Sequence, residues 1–222
     1  MDAFARLLDD LYFTNSTKAK EQILAAYLRQ TPDPDRGWAL AALAGTLDFD
    51  LFKRNLTKQL ILEQMDEELF ALSYDYVGEL SETVALAWRR SENSVLLNRL
   101  PSLTEVIEEF KSRDKQGIRD YLSLLLDNMT PPQRWALLKL GTRGLRIGMS
   151  ARSVKRTLAN MKQVDIGEIE ELWHGLETPY EDLFAWIDGH ADKPDISNVL
   201  TYLPVGDTQV EVGLRMFRVQ SN

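Results

Sequence analysis

Eight basic residues (Arg134, Lys139, Arg143, Arg146, Arg152, Lys155, Arg156 and Lys162) fall between Asn128 and Val164 with no Asp or Glu among them. The other 185 residues carry 18 basic and 34 acidic side chains, a net of −16. A local reversal of sign on an otherwise acidic chain marks a place where a polyanion can dock. The residue types within the run suit a phosphate clamp. Gly141 to Gly148 form a glycine-punctuated connection that can turn tightly and admit a close backbone, because Gly has no Cβ. Ser150 reads as the N-cap of the next helix, whose free N–H groups and positive dipole end both favour an anion. Arg143, Arg146, Arg152, Lys155 and Arg156 surround that point. Backbone amides from Gly144 through Gly148 to Ser153, with the Ser150 and Ser153 hydroxyls, complete the expected phosphate-binding set.

The residues interleaved with these cations are Leu145, Ile147 and Met149, not aromatic ones, so stacking on single-stranded bases is not the expected mode. Nor does the segment array Asn, Gln and Arg along one exposed helix face for major-groove reading. Backbone-positioning contacts across the minor groove of a double-stranded nucleic acid fit better. Lys18 and Lys20 follow Ser16 and Thr17 at another helix start and form a smaller second cluster. Lys53, Arg54 and Lys58 are weaker candidates, since Asp48 and Asp50 precede them. A different reading keeps the cations at home. Residues 165–195 hold ten Asp or Glu and one Lys, and pairing there would make this a helical protein-interaction module whose basic segment docks an acidic partner.

Other chemistries find little support. With no Cys among 222 residues, disulfides, thiolate metal sites and cysteine nucleophiles are excluded, and a cytoplasmic location is expected. His174 and His190 lack metal-ligand spacing. Adjacent acids such as Glu108 and Glu109, or Glu170 and Glu171, diverge by about 100° on a helix, so they are solvated faces and not general acid/base pairs. Neither a phosphate-loop lysine motif nor a serine-hydrolase elbow is present. No run approaches the roughly 20 apolar residues of a membrane span, and no membrane partner is expected. Catalytic residues: none. Metal ligands: none.

The elements that must position the clamp are helical. Apolar residues recur at helical spacing, as in Phe4, Leu7, Leu8 and Leu11, or Val154, Leu158 and Met161. Starts are expected at Ser16 or Thr17, Ser81, Thr104 and Thr130. The expected fold is all-α, a multi-helix bundle, with one helical domain over residues 1–200 and a tail or linker over 201–222. In that tail Val210, Val212, Leu214 and Met216 alternate with polar residues as in a strand, and a strand needs a partner chain, a second short strand or a further domain. An internal repeat runs through the helices. TPDPDRGWALAALAG (31–45) aligns with TPPQRWALLKLGTRG (130–144), and LFKRNLT (51–57) with SVKRTLA (153–159). Two related helical units about a pseudo-twofold axis are the simplest meaning.

At LRIGMSARSVKRTLA (145–159) the chain resembles the N-terminal DNA-binding domain of ATP-dependent DNA ligases, in which a G-x-L-R-I-G turn leads into a helix. TPDPDRGWALAALAG and ALSYDYVGELSETVAL (71–86) are similar to the bacterial subgroup, and the resemblance covers about residues 1–200. It implies an all-helical, internally duplicated module. Such a module binds nicked double-stranded DNA across the minor groove, in DNA repair, replication and recombination, beside a ligase catalytic domain in cis or trans. ATP and Mg²⁺ serve that catalytic domain, and no cofactor is expected for this chain. The family's adenylated lysine lies in K-x-D-G, whereas Lys193 here lies in KPDI. The chain alone is therefore expected neither to adenylate nor to seal, and its tail is expected to be a linker or the start of a catalytic domain that these residues lack.

Overall fold

The computed structural model describes residues 1–196 together with the backbones of 209–212 and 215–218. Among the described residues the helical spacing becomes α1 (Asp2–Phe13), α2 (Thr17–Gln30), α3 (Asp35–Ala44), α4 (Arg54–Leu62), α5 (Glu67–Val77), α6 (Leu80–Ala87), α7 (Leu103–Ser112), α8 (Lys115–Asn128), α9 (Pro131–Gly141), α10 (Ala151–Lys162), α11 (Ile166–Trp173) and α12 (Glu181–Ile187). None of these helices is long and apolar enough to cross a membrane. The tail is strand-like as expected, and it folds back on itself: β1 (Gln209–Val212) pairs antiparallel with β2 (Arg215–Arg218), Val210 opposite Phe217.

The chain divides into two compact units, each drawn from two stretches of sequence. One comprises Met1–Ser16 and Gly45–Met149, the other Thr17–Ala44 and Ser150–Asn222. The division cuts through the repeat. Its copies are α2–α3–α4, of 14, 10 and 9 residues, and α8–α9–α10, of 14, 11 and 12 residues. In each copy the third helix belongs to the unit built on the first two helices of the other copy.

In the first unit, α9 lies between α1 and α6 and buries Ala136, Leu137, Leu138 and Leu140. Full burial stabilises by about 1.5–3 kcal/mol for each leucine. The C-terminal Gly141 is packed so closely on Phe52 that a Cβ there would fall 2.1 Å from the ring, and its carbonyl accepts from the Leu51 and Phe52 N–H groups. In the second unit, α10 packs on α2, α3, α11 and α12, and its buried stripe is Val154, Thr157 and Leu158 with Ser153 and Ala159.

Each copy of the repeat also holds a buried or half-buried arginine at the start of its second helix. The Arg134 guanidinium donates to the carbonyls of Leu126 at 2.7 Å and of Ala85 and Trp88 at 3.3 Å, which are the last turns of α8 and α6. Unpaired helix C-terminal carbonyls need donors, and a cation also complements the negative dipole end. Burial lowers the Arg134 pKa. Arg36 reaches the carbonyl of Leu28 at 3.4 Å, eight residues back as Leu126 is from Arg134. It is only 7% exposed, forks onto Asp33, meets Asp188 at 2.7 Å and lies 4.2 Å over the Phe184 ring. The Asp33 hydrogen bonds, opposed by burial and aided by Asp188, raise its pKa.

Two helix starts lie slightly upstream of their expected places. The Glu79 carboxylate, not Ser81, caps α6 by accepting from the Ser81 and Glu82 N–H groups at 3.0 and 2.9 Å. Ser102, not Thr104, caps α7 in a reciprocal box with Glu105. A cap is chosen by which side chain reaches the open N–H groups, and at α6 a glutamate two residues upstream of Ser81 does so.

Replacing Arg36 removes one partner of a buried ion pair and leaves two carboxylates uncompensated. Arg36→Ala is expected to cost about 3 kcal/mol in urea unfolding followed by circular dichroism, and Arg36→Lys, which lacks the planar fork, to recover only part of it. A loss below about 1 kcal/mol would show that water serves Asp33 and Asp188 equally well.

Candidate nucleic-acid interface

Three of the eight clustered cations are spent inside the fold. Arg134 serves the carbonyls of α8 and α6. Lys139 pairs with the Glu79 carboxylate at 3.1 Å, its side chain 14% exposed. Lys162 donates to the Trp186 carbonyl at 2.6 Å and lies 5.2 Å over that residue's ring. Five remain, the same five that the clamp requires: Arg143, Arg146, Arg152, Lys155 and Arg156. The Met149–Ser150 peptide divides them, Arg143 and Arg146 falling in the first unit and the other three in the second.

At the end of α9 the chain closes a Schellman motif. The Gly144 N–H donates to the Lys139 carbonyl at 2.9 Å and the Arg143 N–H to that of Leu140 at 3.1 Å. Both expected glycines lie in the connection, but the left-handed position of the motif falls to Arg143, with φ of 53°. Gly144 occupies the next place, and Gly148 turns the chain with φ of 65°. A residue with a Cβ in that conformation carries strain that Gly would not. The Arg143 side chain is about half exposed, its Nε 3.9 Å from Asp50, and Asp50 is already paired with Lys53 at 2.5 Å. Buried Ile147 anchors the connection while its neighbour Arg146 stays exposed.

Ser150 caps α10 as expected, accepting from the Ser153 N–H at 3.1 Å. Its hydroxyl also donates to the Ser153 Oγ at 3.2 Å. Ser153, expected among the phosphate contacts, thus turns its N–H and Oγ to the cap. It is buried, because its position in the first turn faces the same side as Val154 and Thr157, and the cap uses both of its polar groups. Arg152 is exposed and has no ion pair among the described residues. Lys155 lies 5.3 Å over the Trp173 ring. Arg156 stands 3.4 Å from a Glu21 oxygen that is buried without a hydrogen-bond partner, so part of its charge offsets a carboxylate. Of these three, none pairs with an acid of 165–195 among the described residues. Three of those ten acids pair elsewhere, Asp188 with Arg36 and both Glu168 and Glu171 with Lys193.

Lys18 and Lys20, expected together, part company. Lys18 is exposed, while Lys20 is 6% exposed and held within the fold, because two residues along a helix turn a side chain to the opposite face. Lys18 shares a cleft of about 580 Å³ with Arg29, Arg156, Gln22 and Asn160. The structure thus joins Lys18 to the main cluster's Arg156 and adds Arg29, which the sequence reading passed over. A signal for it existed: Lys18, Gln22, Ala25 and Arg29 follow i, i+4, i+7, i+11, one helix face.

Residues 1–159 match the family described as DNA ligase N terminus, a span that includes the five cations and ends within α10. The comparison with curated proteins gave no match.

Two outcomes test this description. Burial would raise the Glu79 pKa, but the Ser81 and Glu82 amides and Lys139 outweigh it and hold the value below the usual carboxylate range. A depressed folded pKa contributes stability that is present above the unfolded value, about 4.3, and is lost as pH falls through the folded one. Unfolding free energy should accordingly fall below about pH 4.5, and less steeply in Glu79→Gln. Arg143→Gly removes left-handed strain and should raise stability by about 0.5–1 kcal/mol in thermal melting, whereas a loss would mean that the Arg143 side chain contributes more than its backbone costs.

Proposed function

The chain belongs to the DNA ligase N-terminus family, and from that premise we propose that it is a non-catalytic module that binds double-stranded DNA through the phosphate backbone. The observation that carries the reading is the acid-free basic run, whose five outward cations remain after the fold has used the other three. The backbone between Gly144 and Arg152 offers amides, Ser150 caps the α10 end, and Arg143, Arg146, Arg152, Lys155 and Arg156 supply charge, with Lys18 and Arg29 extending the set. Contacts of this kind position a duplex without reading bases. Leu145 and Met149 between the cations present no ring on which a base could stack. A nicked duplex approached from its minor groove is the substrate form we assign.

Adenylation and sealing are assigned to a catalytic domain acting in cis or trans. The motif that carries the adenylated lysine in that domain, K-x-D-G, does not occur in this sequence. The module's part is to hold DNA for that domain.

Fluorescence anisotropy on nicked and intact duplexes of one sequence, across a salt series, tests the proposal. Neutralising about 4 to 6 phosphates should give log K against log salt a slope of about −3.6 to −5.4. Arg143→Glu/Arg146→Glu/Lys155→Glu should weaken binding more than about tenfold with helicity retained. This triple variant spares Arg156, whose reversal would place two carboxylates together. Arg143→Gly should lose affinity while gaining stability. Affinity independent of salt, or unaltered in the triple variant, would overturn the reading.

A further inference from the structure

A second surface in the first unit has the opposite chemistry. The end of α1, the end of α6 and the start of α9 enclose a groove of about 240 Å³ lined by Tyr12, Phe13, Leu86, Pro131, Pro132 and Trp135. Large apolar side chains stand open there, with Phe13 75%, Leu86 61% and Tyr12 51% exposed. The rings are ordered against one another, Tyr12 edge-on to both Phe13 and Trp135 with 5.3 Å between centroids. Asp9 and Glu82 also line the groove, and neither has an ion pair among the described residues.

An open aromatic patch costs solvation free energy and on a soluble domain marks a binding surface. The two unpaired carboxylates specify its occupant. They repel phosphate and favour a cation. Ridges of Tyr and Trp accept proline rings of an extended left-handed helix, which loses little entropy on binding because it is preformed. Guanidinium groups stack on Tyr and Trp faces and pair with carboxylates at the rim.

We propose that this groove docks a segment of a partner protein that is extended, contains proline and is rich in arginine or lysine. Tyr12, Glu82 and Trp135 also line a neighbouring cleft with Arg146, so of the five DNA-facing cations Arg146 lies beside the groove, while Arg143, Arg152, Lys155 and Arg156 line neither the groove nor that cleft. Affinity rests on two terms, aromatic burial and the Asp9/Glu82 field, and each can be removed alone.

Trp135 reports occupancy. It is half-buried, whereas Trp38, Trp88, Trp173 and Trp186 are all buried, so it is the indole most open to acrylamide. The full chain would be titrated with a 12-residue synthetic peptide holding two prolines and three arginines. Parallel titrations would use versions with Arg replaced by Glu and with Pro replaced by Ala. The Arg-Pro peptide should shield Trp135 from quenching, the Glu version should not, and the Ala version should bind severalfold more weakly. Asp9→Lys/Glu82→Lys should weaken peptide binding at least tenfold and Phe13→Ser severalfold, both without loss of DNA affinity. Where Phe13→Ser fails to fold, Leu86→Ser on the facing wall takes its place. Equal shielding by the Glu peptide, equal binding by the Ala peptide or by Asp9→Lys/Glu82→Lys, or no shielding at millimolar peptide would each overturn the proposal. So would a dimer in light scattering that Phe13→Ser converts to monomer, since a second copy would then be what covers the groove.

Discussion

Helix ends are the constraint on which this protein depends. Its helices are short, from 7 residues in α12 to 14 in α2 and α8, and every helix leaves about four N–H and four C=O groups without an internal partner. In such a chain a large share of the backbone polar groups lies at an end, and burying them unpaired would cost about 1–3 kcal/mol each. Side chains of the first turns answer for the N-termini: Asp66, Glu79, Ser102, Asp114, Ser150 and Asp165 each accept from a backbone N–H. The C-termini draw on basic residues, Arg134 for α6 and α8 and Lys162 for the end of α12.

That demand explains why a basic run does not map directly onto a basic surface. Arg134, Lys139 and Lys162 carry the same charge as their neighbours, but carbonyls and a capping carboxylate lie within their reach, and desolvation is offset by those hydrogen bonds. The other five sit on turns or on the outer face of α10, where few acceptors approach. Even there the roles differ. Arg156 faces a buried Glu21 oxygen, Arg143 has a distant and already paired Asp50, and Arg152 has neither. The functional charge of the segment is what remains after the fold has taken its share.

The repeat, too, acquires a meaning that its alignment does not contain. Both copies use an arginine to tie their second helix to the last turn of their first, at the same eight-residue separation, so the local unit is a helical pair. Their third helices are not held within the copy. α4 and α10 each belong to the unit formed around the other copy's pair, and both units are therefore discontinuous in sequence.

Much of this was legible from the chain alone, because it depends on neighbours in sequence. Periodicity of Phe4, Leu7, Leu8 and Leu11 makes a helix wherever it packs, Ser150 caps the helix it precedes, and alternation at 209–218 gives extended chain. Composition likewise located the basic segment and excluded thiol chemistry. What only the tertiary structure decided are matters of partner choice: that Arg134 and Lys139 turn inward, that Lys20 is buried while Lys18 shares a cleft with Arg29 and Arg156, that Ser153 turns to the cap, and that two compact units are each assembled from two stretches of sequence. Hydrogen-bond and ion-pair partners come from residues distant in sequence, and a local pattern states what a side chain can offer but not which acceptor the fold will bring to it.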